Sequence, residues 1–175
     1  MRHATRHLIP LLLSLLLAMF PLSTRAGDAS QFFDQSLGNF KEELADAIKA
    51  GKQGVLIMFE AEDCPFCRRM KAQVLNREDV QAYYRKRFAI FSVDVLGSVT
   101  VTDFSGTTST EKNFAISRKV RGTPTFVFIA PDGKEMARYT GATRDATEFM
   151  ELGRYVAEGH WRSKGFGEFY SGSRR

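Results

Sequence analysis

The apolar positions of this chain change period several times, and each change predicts an element. From Asn39 onward, Phe40, Leu44, Ala47 and Ile48 recur at helical spacing, which predicts an amphipathic helix capped by the Asn39 side chain and ended by Gly51. Residues 55–59 form an unbroken apolar run, Val-Leu-Ile-Met-Phe, as in a strand buried on both faces. A helix is expected from Pro65 towards Leu75, because proline suits a first helical turn. A second helical piece over 77–87 carries Val80, Tyr83 and Tyr84, and residues 88–95 read as the next strand. The polar stretch 96–110 is either a long loop or a small hairpin. Thr110 then caps a helix over 111–119. Residues 125–130 and 135–140 read as two strands joined by the tight turn Pro131-Asp132-Gly133-Lys134. Residues 145–157 set Phe149, Leu152 and Val156 on one helical face. Residues 27–38 read as a loose lead-in, and 159–175 as a Gly- and Ser-rich tail whose aromatics pack on the domain.

A strand, a crossover helix and a strand imply parallel pairing, and the last two strands form a hairpin. The expected architecture is α/β, a mixed central sheet of about four strands with helices on both faces.

The N-terminus follows another rule. Arg2 and Arg6 precede an apolar run from Leu8 to Phe20 interrupted only by Ser14, then Pro21 and the small-residue site Thr24-Arg25-Ala26. This is the three-part pattern of a signal peptide over 1–26, cleaved after Ala26. The run has 13 residues, short of the roughly 20 that span a bilayer. Export to the periplasm is therefore the expectation, with residues 27–158 as one domain and 159–175 as its tail. Arg2, Arg6 and Arg25 leave with the signal and no acid does, which takes the net charge from +5 to +2. So small a charge argues against nucleic acid as a partner. The short basic run Arg85-Lys86-Arg87 reads as a solvated helix end.

The chain has two cysteines, both in Cys64-Pro65-Phe66-Cys67. A loop this short constrains the unfolded chain little, so the pair is a poor staple. Zinc needs about four ligands, and the chain beyond residue 26 offers one histidine, the distant His160. Haem attachment needs a histidine after the second cysteine, where Arg68 stands. A CxxC between a buried strand and a helix is a redox arrangement. Cys64 at the helix N-terminus is expected to be the exposed nucleophile, its thiolate favoured by the helix dipole. Cys67, one turn on, is expected to resolve the mixed disulfide and to pair with Cys64. Arg68, Arg69 and Lys71 either lower the thiolate pKa further or are solvated helix charges. No metal or other cofactor is expected.

Arg121-Gly122-Thr123-Pro124-Thr125 opens a later strand. Taken alone, Pro124 reads as an edge or turn proline. Together with the CxxC after the first central strand, it resembles the thioredoxin superfamily over about residues 39–157. The resemblance implies that Pro124 is cis and packs beside the CxxC, and that the Thr123 backbone pairs with an extended substrate segment. Within the superfamily, Val101-Thr102-Asp103-Phe104-Ser105-Gly106 with Thr110-Glu111-Lys112, and the ending Tyr155-Val156-Ala157-Glu158-Gly159, resemble exported proteins of the SoxW kind, associated with sulfur-oxidation gene clusters. That implies a monomeric reductant of protein thiols, fed electrons by a membrane donor of the DsbD or CcdA type.

The chain departs from the family in places. Asp63 stands where a tryptophan is usual, Pro65-Phe66 replaces Gly-Pro, and Met58 occupies the position of a buried acid. Glu60 is the candidate substitute as proton acceptor for Cys67, or else a solvated strand end. A carboxylate beside Cys64 would raise its pKa. Phe66, between the cysteines, is expected to face a partner. A periplasmic disulfide oxidant or isomerase is the competing reading, and a Cu(I) module using two soft thiolates a third. An isomerase is disfavoured by the lack of room for a dimerisation region.

Overall fold

A computed structural model describes residues 27–173. The expected signal peptide lies outside the described residues. A four-stranded sheet in the order β2-β1-β5-β6 forms the centre. Its strands are β1 (Gly54–Glu60), β2 (Phe88–Asp94), β5 (Thr125–Ile129) and β6 (Glu135–Thr140). β1 runs parallel to β2 and antiparallel to β5, and β5 and β6 form the hairpin. Between β2 and β5 the chain makes β3 (Thr100–Thr102) and β4 (Thr108–Thr110), so residues 96–110 hold the small hairpin rather than a loop.

The helices are α1 (Phe40–Lys49), α2 (Pro65–Met70), α3 (Glu78–Arg85), α4 (Glu111–Ser117), α5 (Ala146–Ala157) and α6 (Phe166–Gly172). Besides α2, three begin where a side chain relieves an unpaired N–H. Asn39 accepts from Glu42, Thr110 from Asn113 and Asp145 from Glu148. α2 passes directly into a π-helical turn, Lys71–Leu75.

Strand periodicity divides the core in two. Leu56 and Met58 of β1 face a layer built by α2, α3 and α5, with Cys67, Met70, Val80, Tyr84, Phe149 and Leu152. Val55, Ile57 and Phe59 face α1 and α4, with Phe40, Leu44 and Phe114. Each such side chain contributes about 1.5–3 kcal/mol by leaving water, so β1, buried on both faces, is the element the rest is built around. Ile48 is the exception on α1: it is 36% exposed. At 3.6 residues per turn it lies about 80° round the helix from Phe40, off the buried stripe.

The lead-in is not loose. Asp28 caps a single 3-10 turn, Ala29–Phe32, which drives Phe32 into the α3–α5 layer with no exposed surface. One phenylalanine carries that anchoring, and one apolar residue makes no period to read. Two residues on, Asp34 seals the outer edge of β2. Its N–H donates to the Ile90 carbonyl at 2.7 Å and its carboxylate accepts the Ile90 N–H at 2.9 Å. Lys52 and Arg85 hold that carboxylate at 3.5 and 3.4 Å. At the other terminus, Phe166 of α6 packs edge-on against Tyr139 and Tyr155. Arg144 donates to the Tyr170 hydroxyl at 2.6 Å.

Candidate active site

β1 ends at Glu60, and Ala61 to Asp63 turn the chain into α2. That turn sets Cys64 at the N-cap of α2, with Pro65 in the first turn, where its missing N–H costs nothing. Cys64 and Cys67 form a disulfide with their Cα atoms 5.2 Å apart. The Cys67 N–H donates to Cys64 Sγ at 3.1 Å. A thiolate at Cys64 would keep this bond and gain from the charge, since it would accept from a helix N-terminal amide.

The loop before β5 closes over the pair. The Thr123–Pro124 peptide bond is cis, and the Thr123 carbonyl oxygen lies 3.4 Å from Cys64 Sγ. This corrects one expectation. Cys64 is not openly exposed: 6% of its surface reaches solvent, against 1% for Cys67. The Thr123 loop covers it, an effect of folding that a motif cannot reveal. The order of accessibility between the two cysteines is nevertheless the expected one. Phe66 stands clear of the site with 58% of its surface exposed.

The nearby charges are mostly tied down. Arg68 donates to the Glu62 carbonyl and Arg69 to the Thr143 carbonyl, at 3.1 and 3.0 Å. Lys71 pairs with Glu60 at 2.6 Å, and the Ser92 hydroxyl donates to the same carboxylate. Neither Lys71 nor Ser92 stood out in the sequence as a partner of Glu60; the alternation of β2 and the length of α2 were the available signals. Three features place Glu60 on the α2 side of the sheet, next to the helix that carries the dithiol. It follows Leu56 and Met58 at even spacing on β1, hence on the α2 face of the sheet. It is bound to Lys71. And the Lys71 N–H donates to the Cys67 carbonyl. Glu60, Lys71 and Ser92 line a cleft of about 520 Å³ whose far wall is the segment from Asp28 to Ser36. Met58 lies fully buried, so β1 presents no acid at that point.

Among the described residues no cluster of histidine, cysteine and acidic side chains could hold a metal ion, and no helix is long and apolar enough to cross a membrane. What the site can do is exchange a disulfide: the less buried Cys64, the deeper Cys67 and a carbonyl edge beside Cys64.

Comparison with known proteins agrees with this geometry. A family model described as a thioredoxin-like domain matches residues 40–157. Among solved structures, a thioredoxin from Thermus thermophilus is 31% identical, covering 75% of this chain and 95% of its own, with a TM-score of 0.55. A thioredoxin-fold protein from Helicobacter pylori is 18% identical, covering 83% and 89%, with a TM-score of 0.63. The oxidised C-terminal domain of DsbD from Neisseria meningitidis is 23% identical, covering 66% and 91%, with a TM-score of 0.50. The last two are likenesses of fold. No curated protein matches the chain.

Proposed function

The chain belongs to the thioredoxin-like family and is a thiol–disulfide oxidoreductase, and from that premise we propose that it works in the periplasm as a reductant of exported protein thiols. One observation carries the direction of electron flow. Glu62 and Asp63 stand exposed immediately before Cys64, Lys71 is paired with Glu60, and Arg68 and Arg69 are held on backbone carbonyls. Carboxylates immediately beside Cys64 disfavour its thiolate. A less stabilised reduced form gives up its electrons more readily.

In the reductive cycle the Cys64 thiolate attacks a substrate disulfide and forms a mixed disulfide, releasing one substrate thiolate. Cys67 then attacks Cys64 Sγ, frees the second substrate thiol and closes the disulfide seen here. Glu60, held by Lys71 and Ser92, takes the Cys67 proton in that step. Thr123 aligns the substrate backbone across the mouth, beside the cis-proline Pro124. Export by residues 1–26, recharging by a DsbD- or CcdA-type membrane donor and a place among proteins of the SoxW kind complete the reading. Its support is the N-terminal pattern and the resemblance of the Val101–Gly106 and Tyr155–Gly159 stretches.

The deciding experiment equilibrates the Cys64–Cys67 pair with dithiothreitol or glutathione buffers. A potential near that of thioredoxins, about −270 mV, is expected; one near that of DsbA, about −120 mV, would make the protein a disulfide donor and overturn the proposal.

A further inference from the structure

Gly27 is the residue that would follow the expected cut after Ala26, and its surroundings are demanding. A Cβ on Gly27 would lie 2.5 Å from the Asn76 carbonyl oxygen. That atom is main chain and cannot swing aside, so the close approach requires glycine. The segment behind Gly27 is fixed as well. The Gln81 carboxamide donates to the Asp28 carbonyl at 3.0 Å and to the Leu75 carbonyl at 2.8 Å, and Phe32 is buried in the core. Residue 27 is therefore held against the far end of the helix that begins at Cys64.

That end is short of positive charge. α2 and the π-helical turn run without a break from Pro65 to Leu75, so their peptide dipoles add and the carbonyl end is negative. Residues 72–75 are Ala-Gln-Val-Leu, with no basic side chain among them. Lys71 is drawn to Glu60 and Arg77 to Asp79. Asn76, which caps this end, keeps a buried carboxamide oxygen that has no hydrogen-bond partner among the described residues. A buried acceptor left unpaired is destabilising. Gly27 brings a donor close. A main-chain nitrogen lies about 2.5 Å from the Cβ position of its own residue, so the Gly27 nitrogen lies within about 5 Å of the Asn76 carbonyl oxygen. In the uncut chain that nitrogen is a neutral amide with a single N–H. Hydrolysis of the Ala26–Gly27 bond, by an export peptidase and water, leaves a carboxylate on Ala26 and an α-ammonium on Gly27, charged and rich in donors.

We propose that cutting between Ala26 and Gly27 creates a binding group: the new α-ammonium seats on Asn76, at the negative end of the dithiol helix, and locks the N-terminal segment to it. The inference rests on the export reading above and adds what the cut does to the fold. Glycine at position 27 then meets two demands at once, a small residue beside a peptidase site and the absence of a Cβ against Asn76.

In the test, the full 175-residue chain is exported from a Gram-negative host and the mass of the periplasmic product is measured. A product of residues 27–175 is expected. Its α-amine is then acetylated near neutral pH, where it reacts ahead of the lysines. Thermal midpoints are compared for the free and acetylated forms of wild type and of Asn76→Asp. Acetylation should lower the wild-type midpoint by about 1–4 °C, and should lower that of Asn76→Asp further, because the added carboxylate meets the ammonium. Gly27→Ala should also lower the midpoint, since its methyl group meets the Asn76 carbonyl. A product that starts at another residue would overturn the cut, and a chain that stays uncut would overturn export with it. Equal losses on acetylation in the two backgrounds, or none, would overturn the seat on Asn76, as would a Gly27→Ala chain with the wild-type midpoint. None of these outcomes depends on the reduction potential of the Cys64–Cys67 pair, so this inference and the reductant reading fail separately.

Discussion

Phe32 offers a direct test of whether the N-terminal segment belongs to the cooperative fold. The side chain has no exposed surface, and its ring lies 5.2 Å from Phe33, 5.7 Å from Tyr84 and 6.0 Å from Phe149. Truncating a buried phenylalanine to alanine costs about 3–5 kcal/mol, the sum of lost transfer energy and the cavity left behind. The lower end applies to Phe32→Ala, because a single 3-10 turn held by Asp28 can settle into the space. At about 2–4 °C per kcal/mol for a chain of this size, the expected fall in Tm is about 6–12 °C. Oxidised wild type and variant would be compared by thermal melting followed in the far ultraviolet and by urea titration at constant slope. Disulfide exchange well below the melting range should be unchanged, since the rings packed on Phe32 are those of Phe33, Tyr84 and Phe149, none of them in the dithiol turn. A fall in Tm of under about 2 °C, less than 1 kcal/mol, would refute the reasoning and make residues 27–38 an appendage.

Two further outcomes follow from the site and its surroundings. Cys67→Ser should accumulate mixed disulfides with protein substrates on non-reducing gels, and Cys64→Ser should abolish turnover; trapping by Cys64→Ser instead would reverse the assigned order of attack. Burial raises the Glu111 pKa, against the lowering effect of the Asp94 N–H it accepts and with the Asp94 charge adding to the rise. A carboxyl whose folded pKa is raised favours the folded state while protonated, so this contribution is present below the ordinary glutamate range and lost as pH rises through the raised value. Glu111→Gln should flatten that part of a stability-against-pH curve, measured by urea midpoints from pH 4 upward; an unchanged curve would refute the assignment.

The parts of the fold legible beforehand were those with a period or a chemical signature. β1 announced itself by five consecutive apolar residues, α1 by a cap and an apolar stripe, α4 by its Thr110 cap, α5 by its apolar stripe, and the dithiol by its spacing. What escaped was held by single residues or by contacts distant in sequence. Phe32 anchors its segment alone. Lys71 meets Glu60 only because α2 carries it one turn past Cys67, and the covering of Cys64 by the Thr123 loop joins residues 59 apart. The π-helical turn at Lys71–Leu75 has no sequence rule of its own; there, the Gln81 carboxamide donates to the Leu75 carbonyl and reaches the Asp28 carbonyl as well.

The seal that Asp34 places on β2 limits how these molecules can polymerise. A sheet grows without end only if each copy offers two edges to others, one to receive a strand and one to give it. Here Asp34 occupies both polar groups of Ile90, and Lys52 takes the Phe88 carbonyl. Among the described residues β6 pairs with β5 alone, so its outer ladder is the other edge of the central sheet. Two copies joined at β6 would turn sealed β2 edges outward on both sides. Edge-to-edge growth of the central sheet therefore stops at a pair while Asp34 holds Ile90.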